Sequence, residues 1–461
     1  MVTTVCWFRR DLRLADNPAL GSAAAEGPVV PLFVVDPAFF GRAGGPRLRF
    51  LLATLRSLDA STGGALVLRH GDPRDVVPAL AAEVGAAAVH VAGDPGPYGR
   101  RRDDEVAARL AGDGRRLVRA GTPYAVAPGT VRPGSLKPGE ERGFAVFTPF
   151  RRAWEAAGWD APAPEPSVAW LGAPAVRSDG YPTLTDGRAD PDGPPALPPA
   201  GERAAHARLD DFVIDALAGY GERRNLPAVD GTSRLSPHLR FGSLHPRQVL
   251  ALLGDAPDHA TFRSELAWRE FYADVLHHRP SSAWLNLQRR MDAMALDTDA
   301  RAVGRFERWV AGTTGYPIVD AGMRQLRGQG WVHNRVRMIV ASFLVKDLHL
   351  PWQWGARHYL RHLVDGDLAS NSHGWQWTAG TGTDAAPYFR IFNPVSQSAR
   401  FDPDGAYIRR WVPELADVPD RHVHAPWTSG RGLPPGYPAP VVDHAVERDE
   451  ALRRYAATAP R

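Results

Sequence analysis

The sequence has few of the features that mark secreted or membrane-embedded proteins. Cys6 is the only cysteine among 461 residues, so no intrachain disulfide can form. No apolar run approaches the roughly 20 residues that a helix needs to cross a bilayer, and the N-terminus lacks the apolar core of a signal peptide. These absences predict a cytoplasmic protein.

Two familiar ligand motifs are also missing. No Gly-x-Gly-x-x-Gly follows the first apolar run, so a dinucleotide site of the usual doubly wound type is not supported. His358 and His362 stand four residues apart, but Tyr359 occupies the position at which a zinc-protease helix carries glutamate. We therefore expect no metal site there, and two surface histidines instead.

The charge balance permits a polyanionic partner without establishing one. The formal net charge is +4 and the pI is about 9.3, which suits nucleic-acid binding and equally suits a solvated arginine-rich surface. Hydrophobic residues make up 44% and charged residues 23% of the chain, as in ordinary globular proteins. Because 461 residues exceed the usual size of one domain, we expect two or more cores.

The first 130 residues alternate short apolar runs with helical segments. This pattern predicts a doubly wound parallel sheet with helices on both faces. Ligands bind such sheets beyond the carboxyl ends of the strands, and Asp36 and Tyr98 follow the second and fourth runs. The four runs cover residues 2–8, 29–35, 65–68 and 87–91.

The rest of the chain changes character twice. Residues 131–200 are expected to form a linker, which is Pro-rich from 162 to 199, because proline fixes φ and removes a backbone donor. Helical patterns with few β-branched runs then extend from 201 to 461. The predicted fold class is therefore an α/β domain followed by an all-α domain.

Two predicted helices of the second domain group unusual side chains on one face. Glu265, Trp268 and Tyr272 fall at helical spacing, as do Asn334 and Met338. A carboxylate near a tryptophan is more often a surface patch than a site, and methionine usually fills a core. These faces alone do not decide between a site and ordinary packing.

Two other segments are rich in small polar residues. Residues 231–237 (Gly-Thr-Ser-Arg-Leu-Ser-Pro) precede a Pro-initiated helix and can donate hydrogen bonds to phosphate oxygens, although Thr-Ser before proline is also an ordinary helix start. Residues 365–392 combine Gly, Asp, Asn and Thr with Trp375 and Trp377. Such a segment either approaches a flat ligand closely or merely caps a core.

Taken together with residues 315–347, these faces and segments resemble the photolyase and cryptochrome family, with most similarity to the bacterial class I cyclobutane pyrimidine dimer photolyases. The resemblance implies an antenna-chromophore domain at residues 1–130 and a catalytic domain that binds FAD and DNA at residues 201–461. It also implies a carbon–carbon lyase, in which light-excited reduced FAD passes one electron to a flipped-out dimer.

The resemblance assigns roles to individual residues. Asn371 is expected against flavin N5, where an amide favours a fully reduced flavin, and Arg337 is expected to form an ion pair with Asp365. The catalytic set would be Glu265, Trp268, Asn334, Met338, Asn371 and Trp377. FAD would be held by Tyr220, Thr232, Ser233, Arg234, Leu235, Ser236, Asn334, Arg337, Asp365, Asp367 and Asn371. DNA would be contacted by Arg224, Glu265, Trp268, Arg269, Tyr272, Asn334, Arg335 and Gln397.

The resemblance also covers two accessory functions. Photoreduction of FAD uses a chain of three tryptophans, matched here by Trp375 and Trp352, but the outermost position is occupied by Asp299. Folate-binding members carry a glutamate that aligns with Gly99, so 8-hydroxy-5-deazaflavin is the expected antenna rather than a folate. The expected antenna residues are Asp36 and Tyr98.

Three other functions stay open. A cryptochrome-type blue-light receptor shares the motifs, but plant cryptochromes carry aspartate at the position of Asn371. A (6-4) photoproduct photolyase needs a proton donor, and the family supplies histidine where this chain has Asn334 and Met338. A DNA-binding protein without catalysis would carry no flavin. The expected partner is DNA that contains pyrimidine dimers, bound by a monomer without a membrane or metal partner.

Overall fold

The computed structural model describes residues 2–134, 142–173, 175–184, 195–383 and 389–458. Residues 384–388 of the predicted ligand segment and parts of the predicted linker lie outside these ranges. The chain divides into two compact units. Unit 1 comprises Met1–Ala189, Pro198–Ala218 and Ser233–Pro280, and unit 2 comprises Asp190–Leu197, Gly219–Thr232 and Ser281–Arg461.

Unit 1 contains a parallel sheet. Its strands are β1 Thr4–Phe8, β2 Val29–Val35, β3 Val67–His70, β4 Ala88–Val91 and β5 Arg116–Arg119, in the order β3-β2-β1-β4-β5. The central strand β1 pairs with β2 and β4 and is buried along its whole length, which explains why it reads as a continuous apolar run. The predicted doubly wound sheet is confirmed, with one more strand than the sequence indicated.

Helices of unit 1 begin at recognisable sequence signals. Asn17, Asp36 and Asp72 each accept a hydrogen bond from a backbone N–H in the first turn of a helix, and a proline follows each of them. In chain order the helices are α1 Pro18–Glu26, α2 Pro37–Phe40, α3 Gly45–Ser61, α4 Pro73–Glu83, α5 Pro97–Gly112, α6 Phe147–Ala157, α7 Glu202–Asp215, α8 Tyr220–Arg223, α9 Ser236–Phe241, α10 Pro246–Leu250, α11 Pro257–His278, α12 Ala300–Ala311, α13 Pro317–Gln329, α14 Asn334–Ser342, α15 Trp352–His362, α16 Leu368–Ala379, α17 Pro394–Phe401, α18 Ala406–Trp411, α19 Asp420–Val423 and α20 His444–Ala456.

Helix α6 lies within the stretch predicted to be a linker. Phe147, Phe150 and Trp154 are buried at positions i, i+3 and i+7, so α6 presents one apolar face. Further along, the backbone groups of Ala169 and Leu171 form hydrogen bonds with Val29 of β2 at 2.9 and 2.8 Å. These bonds attach the Pro-rich stretch to the sheet at this point.

The described part of residues 201–461 contains helices and no strand, as predicted, but residues 201–218 and 233–280 of this range belong to unit 1 and not to unit 2. The core of unit 2 is built around fully buried side chains such as Trp309, Val336 and Val340. A π-helical turn, Phe343–Asp347, directly follows α14. Of the predicted site residues, Asn334 and Met338 lie on α14, and Asn371 and Trp377 lie on α16. Other residues of both helices pack into this core.

Candidate functional site

Helix α16 carries the asparagine and the two tryptophans of the Gly-rich segment. Asp367 begins this helix, because its side chain accepts a hydrogen bond from the Ser370 N–H at 3.1 Å. Trp375 is buried, with 3% of its surface exposed, whereas Asn371 and Trp377 are half-buried. Asn371 and Trp377 are therefore among the side chains of this helix that a ligand can reach.

The amide of Asn371 has a defined orientation. Its NH₂ group donates to the Ala356 carbonyl at 3.0 Å, so the amide oxygen is the group left to accept a hydrogen bond. One turn further on, Gly374 is half-buried, yet a Cβ placed on it would meet no atom within 4 Å apart from its chain neighbours and the backbone of its own helix. This side of α16 thus combines a hydrogen-bond acceptor with open space beside the backbone.

An ion pair connects the start of α16 to α14. Arg337 donates to Asp365 at 2.9 Å, and its Nε donates to the Val332 carbonyl at 2.7 Å. The Asp365 side chain is 4% exposed and that of Arg337 is 26% exposed, so the carboxylate is the more deeply buried partner. The ion pair expected between these two residues is present.

Helix α14 presents two predicted ligand contacts beside buried core residues. His333 caps the helix, because its Nδ1 accepts a hydrogen bond from the Arg335 N–H at 3.2 Å. Asn334 is exposed and Met338 is half-buried, whereas Val336 is fully buried. Asn334 and Met338 therefore lie on the accessible side of the helix, as their spacing indicates.

Three arginines of unit 2, Arg224, Arg335 and Arg400, form what we call the arginine cluster. Arg335 donates to the Asn225 side chain at 2.7 and 3.2 Å, and its guanidinium lies 4.4 Å from the Phe401 ring centroid, which Arg400 approaches at 5.1 Å. Burial, followed by the charges of Arg224 and Arg400, lowers the pKa of Arg335. Such crowding of positive charge favours a polyanionic partner. Helix α17 carries Arg400, Phe401 and the predicted DNA contact Gln397.

Helix α11 of unit 1 groups the other predicted lesion contacts. The rings of Trp268 and Tyr272 lie 5.4 Å apart, and Glu265 is half-buried one turn before Trp268. Arg269, predicted to contact DNA, donates to two backbone carbonyls of unit 1 at 3.1 Å. The sequence did not reveal Phe147, whose ring stacks on Trp268 with 3.7 Å between the centroids.

The predicted phosphate-binding segment crosses the division between the units, so its two parts are described separately. In unit 2, the Arg224 guanidinium lies 5.4 Å from the Tyr220 ring centroid. In unit 1, the Ser233 carbonyl accepts a hydrogen bond from Arg208 at 2.8 Å, and Arg234 has a φ of 52°. The left-handed backbone conformation of this residue turns the chain sharply before α9. Helix α9 is the Pro-initiated helix that the sequence predicts.

The tryptophans expected to carry electrons lie in the core of unit 2. Trp375 is 5.1 Å from the ring of Tyr359 and 6.2 Å from that of Trp309, measured between centroids. Trp352 is equally buried at 3% exposure and donates its indole N–H to a side-chain amide at 2.8 Å. Asp299, at the position of the missing tryptophan, caps α12. Trp309 is an additional aromatic neighbour that the sequence pattern did not assign.

The two expected antenna residues are in contact. The Tyr98 hydroxyl donates to the Asp36 carboxylate at 2.6 Å; burial, then this carboxylate, raises the pKa of Tyr98. A Cβ on Gly99 would overlap the side chain of Asp94, which forms an ion pair with Arg102 at 3.4 Å. A glutamate could therefore replace Gly99 only if that ion pair moved.

Among the described residues, no three His, Cys, Asp or Glu side chains are grouped as metal ligands would be. The rings of His358 and His362 are in contact, with 4.3 Å between their centroids and 34° between their planes, and His358 also packs on Trp309 at 5.5 Å. Both histidines are half-buried rather than fully exposed on the surface, and burial lowers the pKa of His358 to about 3. In the same described ranges, no helix is long and apolar enough to span a membrane.

Comparison with known proteins gives a consistent result over nearly the whole chain. Two family models match, DNA photolyase at residues 4–167 and FAD binding domain of DNA photolyase at residues 262–457. A deoxyribodipyrimidine photo-lyase of Streptomyces griseus is 42% identical over 466 residues, which cover 97% of this chain and 98% of the relative. A class III photolyase structure from Agrobacterium tumefaciens is 38% identical with a TM-score of 0.88, covering 99% and 98% of the two chains. A Synechocystis cryptochrome structure is 28% identical with a TM-score of 0.86, covering 98% and 99%. The chain belongs to the DNA photolyase family.

Proposed function

We propose that the protein uses light and FAD to repair cyclobutane pyrimidine dimers in DNA. The observation that carries the proposal is the arrangement around Asn371, whose amide oxygen is left as an acceptor beside the half-buried space at Gly374. Relatives named deoxyribodipyrimidine photo-lyase match nearly the whole chain, which supports the same reaction.

The residues present fit a flavin. The space at Gly374 leaves room for a planar ring, and the carboxylates of Asp365 and Asp367 can accept hydrogen bonds from its pyrimidine edge and ribitol. Tyr220 and residues 232–236 would hold the phosphates. When bound and reduced, FAD absorbs blue or near-UV light and supplies the dimer with one electron, which returns after two carbon–carbon bonds have split.

The protein side chains bind and orient the reacting groups and exclude water. Asn371 would accept a hydrogen bond from the flavin through its amide oxygen, because its NH₂ group already donates to the Ala356 carbonyl. Trp268 and Trp377 offer flat faces to the pyrimidines, and Glu265 offers an acceptor to their N–H groups. The arginine cluster binds phosphates, so DNA affinity falls as the salt concentration rises.

A repair assay tests this function. Reduced protein, illuminated with an oligonucleotide that contains one cyclobutane dimer, should restore the two pyrimidines, and no repair should occur in the dark. A (6-4) photoproduct should stay unrepaired, and its repair in place of the dimer would favour a (6-4) photolyase. Bound FAD without repair of either lesion would favour the signalling receptor, for which the cryptochrome neighbour is the precedent. Purified protein without FAD would favour a DNA-binding protein that has no catalytic activity.

We further propose that the sheet of unit 1 binds 8-hydroxy-5-deazaflavin beyond the ends of β2 and β4. Asp36 and Tyr98 are hydrogen-bonded there at 2.6 Å, and the packing of Asp94 against Gly99 leaves no room for the glutamate of folate-binding members. Protein from a host without deazaflavin, given micromolar pigment, should show a new absorption band and energy transfer to FAD. Binding of a folate but not of deazaflavin would contradict this assignment.

Photoreduction of FAD is expected to be inefficient, because a carboxylate at residue 299 cannot act as the outer electron donor. Repair by pre-reduced enzyme should be normal, while oxidised protein illuminated with excess thiol should be reduced slowly, and more slowly still in Trp352→Phe. Asp299→Trp should speed the reduction. Asp299→Ala is the matched control, since it also removes the α12 cap, at a cost of about 1 kcal/mol.

Fast photoreduction of the unaltered protein that Asp299→Trp does not improve would contradict this interpretation. In that case the Trp309→Phe variant tests whether Trp309 passes electrons to Trp375, since 6.2 Å separates the centroids of the two rings. A slower reduction in Trp309→Phe would place the electron path through that residue.

The cytoplasmic location and the monomeric state stay predictions. Cys6 is fully buried in β1 and belongs to no disulfide, as suits a reducing compartment. Cell fractionation and analytical ultracentrifugation at micromolar concentration would test the two predictions.

A further inference from the structure

One face of the Trp268 indole is covered by another aromatic ring. The Phe147 ring lies parallel to it, with 3.7 Å between the centroids and 7° between the planes. Phe271 and Tyr272 also contact this indole, but their rings are inclined by 68° and 45°. Phe147 is 7% exposed, whereas Trp268 is half-buried. A flat ligand can therefore stack only on the indole face that points away from Phe147.

The helix that carries Phe147 is firmly attached to α11. Phe150, one turn after Phe147, packs on Phe271 with 5.2 Å between the ring centroids. Trp154, a further turn along, donates its indole N–H to the buried Glu270 carboxylate at 2.5 Å. Moving α6 would leave this carboxylate without one of its donors, which is costly in a buried position. Phe147 therefore lies on a helix whose next two turns are also held against α11.

A tryptophan on a helix surface can swing about its χ angles unless a neighbour restricts it. Stacking of one face removes that freedom before any ligand binds, so less entropy is lost when a base stacks on the other face. We propose that Phe147 is a positioning residue for lesion recognition, which holds the Trp268 indole in the plane that a damaged pyrimidine stacks on. This inference rests on the proposed function, in which Trp268 contacts the dimer.

The test compares binding of a dimer-containing oligonucleotide with binding of the same undamaged oligonucleotide. Phe147→Leu should weaken binding of the damaged DNA by about 2- to 12-fold, the equivalent of an aromatic pair worth roughly 0.5–1.5 kcal/mol. Affinity for undamaged DNA should not change, because phosphate contacts dominate it. Phe147→Tyr keeps the stacked ring and should bind damaged DNA as the unaltered protein does.

Phe150→Leu is the matched control. It removes a buried ring from the same helix and the same interface, but this ring packs on Phe271. We expect it to lower the stability of unit 1 and to leave lesion affinity unchanged. Circular dichroism and bound FAD check that each variant is folded. If Phe147→Leu does not fold, Phe147→Met takes its place.

A double-mutant cycle separates positioning from general packing. If Phe147 acts through Trp268, then Phe147→Leu should cause no further loss of lesion affinity once Trp268→Ala is present. Unchanged lesion affinity in Phe147→Leu, an equal loss for undamaged DNA, or a full additional loss in the Trp268→Ala background would each overturn the inference. If Trp268→Ala itself binds damaged DNA normally, the proposed lesion contact fails as well, and the two failures can be told apart.

Discussion

Replacing Asn371 by aspartate should leave FAD bound but reduce repair by about 5- to 150-fold. The Asn371 amide donates to the Ala356 carbonyl at 3.0 Å, and an ionised carboxylate cannot make that bond. It would also place a negative charge beside a flavin that must stay reduced. A buried polar group left unpaired costs about 1–3 kcal/mol, which sets the size of the expected loss.

The measurements are the repair yield per absorbed photon and the absorption spectrum of bound FAD during reduction. Asn393→Asp is a matched control, because Asn393 is exposed and its side chain caps α17 by accepting from the Ser396 N–H at 3.0 Å. Aspartate caps a helix equally well, so this variant should repair normally. An unchanged yield together with an unchanged redox spectrum in Asn371→Asp would remove the role assigned to Asn371.

Truncation of the two stacking residues should weaken recognition of the lesion selectively. Trp268→Ala and Trp377→Ala each remove a flat face, and stacking of a base on an aromatic ring is worth about 1–3 kcal/mol. Affinity for dimer-containing DNA should therefore fall about 5- to 150-fold for each variant. Binding of undamaged DNA should barely change, since it depends on phosphate contacts.

Trp427→Ala is the control for this pair. Trp427 is also half-buried, and it packs on Tyr316 with 5.2 Å between the ring centroids. It has no proposed contact with DNA, so its truncation should leave the preference for damaged DNA intact. Equal losses for damaged and undamaged DNA in the Trp268 and Trp377 variants would rule out lesion contacts by these residues.

The sequence predicted correctly those helices and strands in which the burial of the side chains follows a regular pattern. Strand β2, Val29–Val35, coincides with its apolar run because both faces of a parallel strand are buried. Strand β5, Arg116–Arg119, was not predicted from the sequence, because it lies at the sheet edge and has an exposed arginine at each end instead of an apolar run. Helix α6 was not predicted, because Pro149 and the surrounding composition are typical of a linker. Its apolar face packs on helix α11, which is distant in the sequence.

The sequence by itself determined which residues share a helix face and which family the motifs resemble, because helical spacing and motif order are local properties. Only the tertiary structure decided which residues meet: Tyr98 with Asp36, Asn371 with the Ala356 carbonyl, and Phe147 with Trp268. It also showed that the NH₂ group of Asn371 donates to a backbone carbonyl, which leaves the amide oxygen as the accepting group. These contacts follow from how distant elements pack, and packing depends on the shape and burial of all neighbours at once.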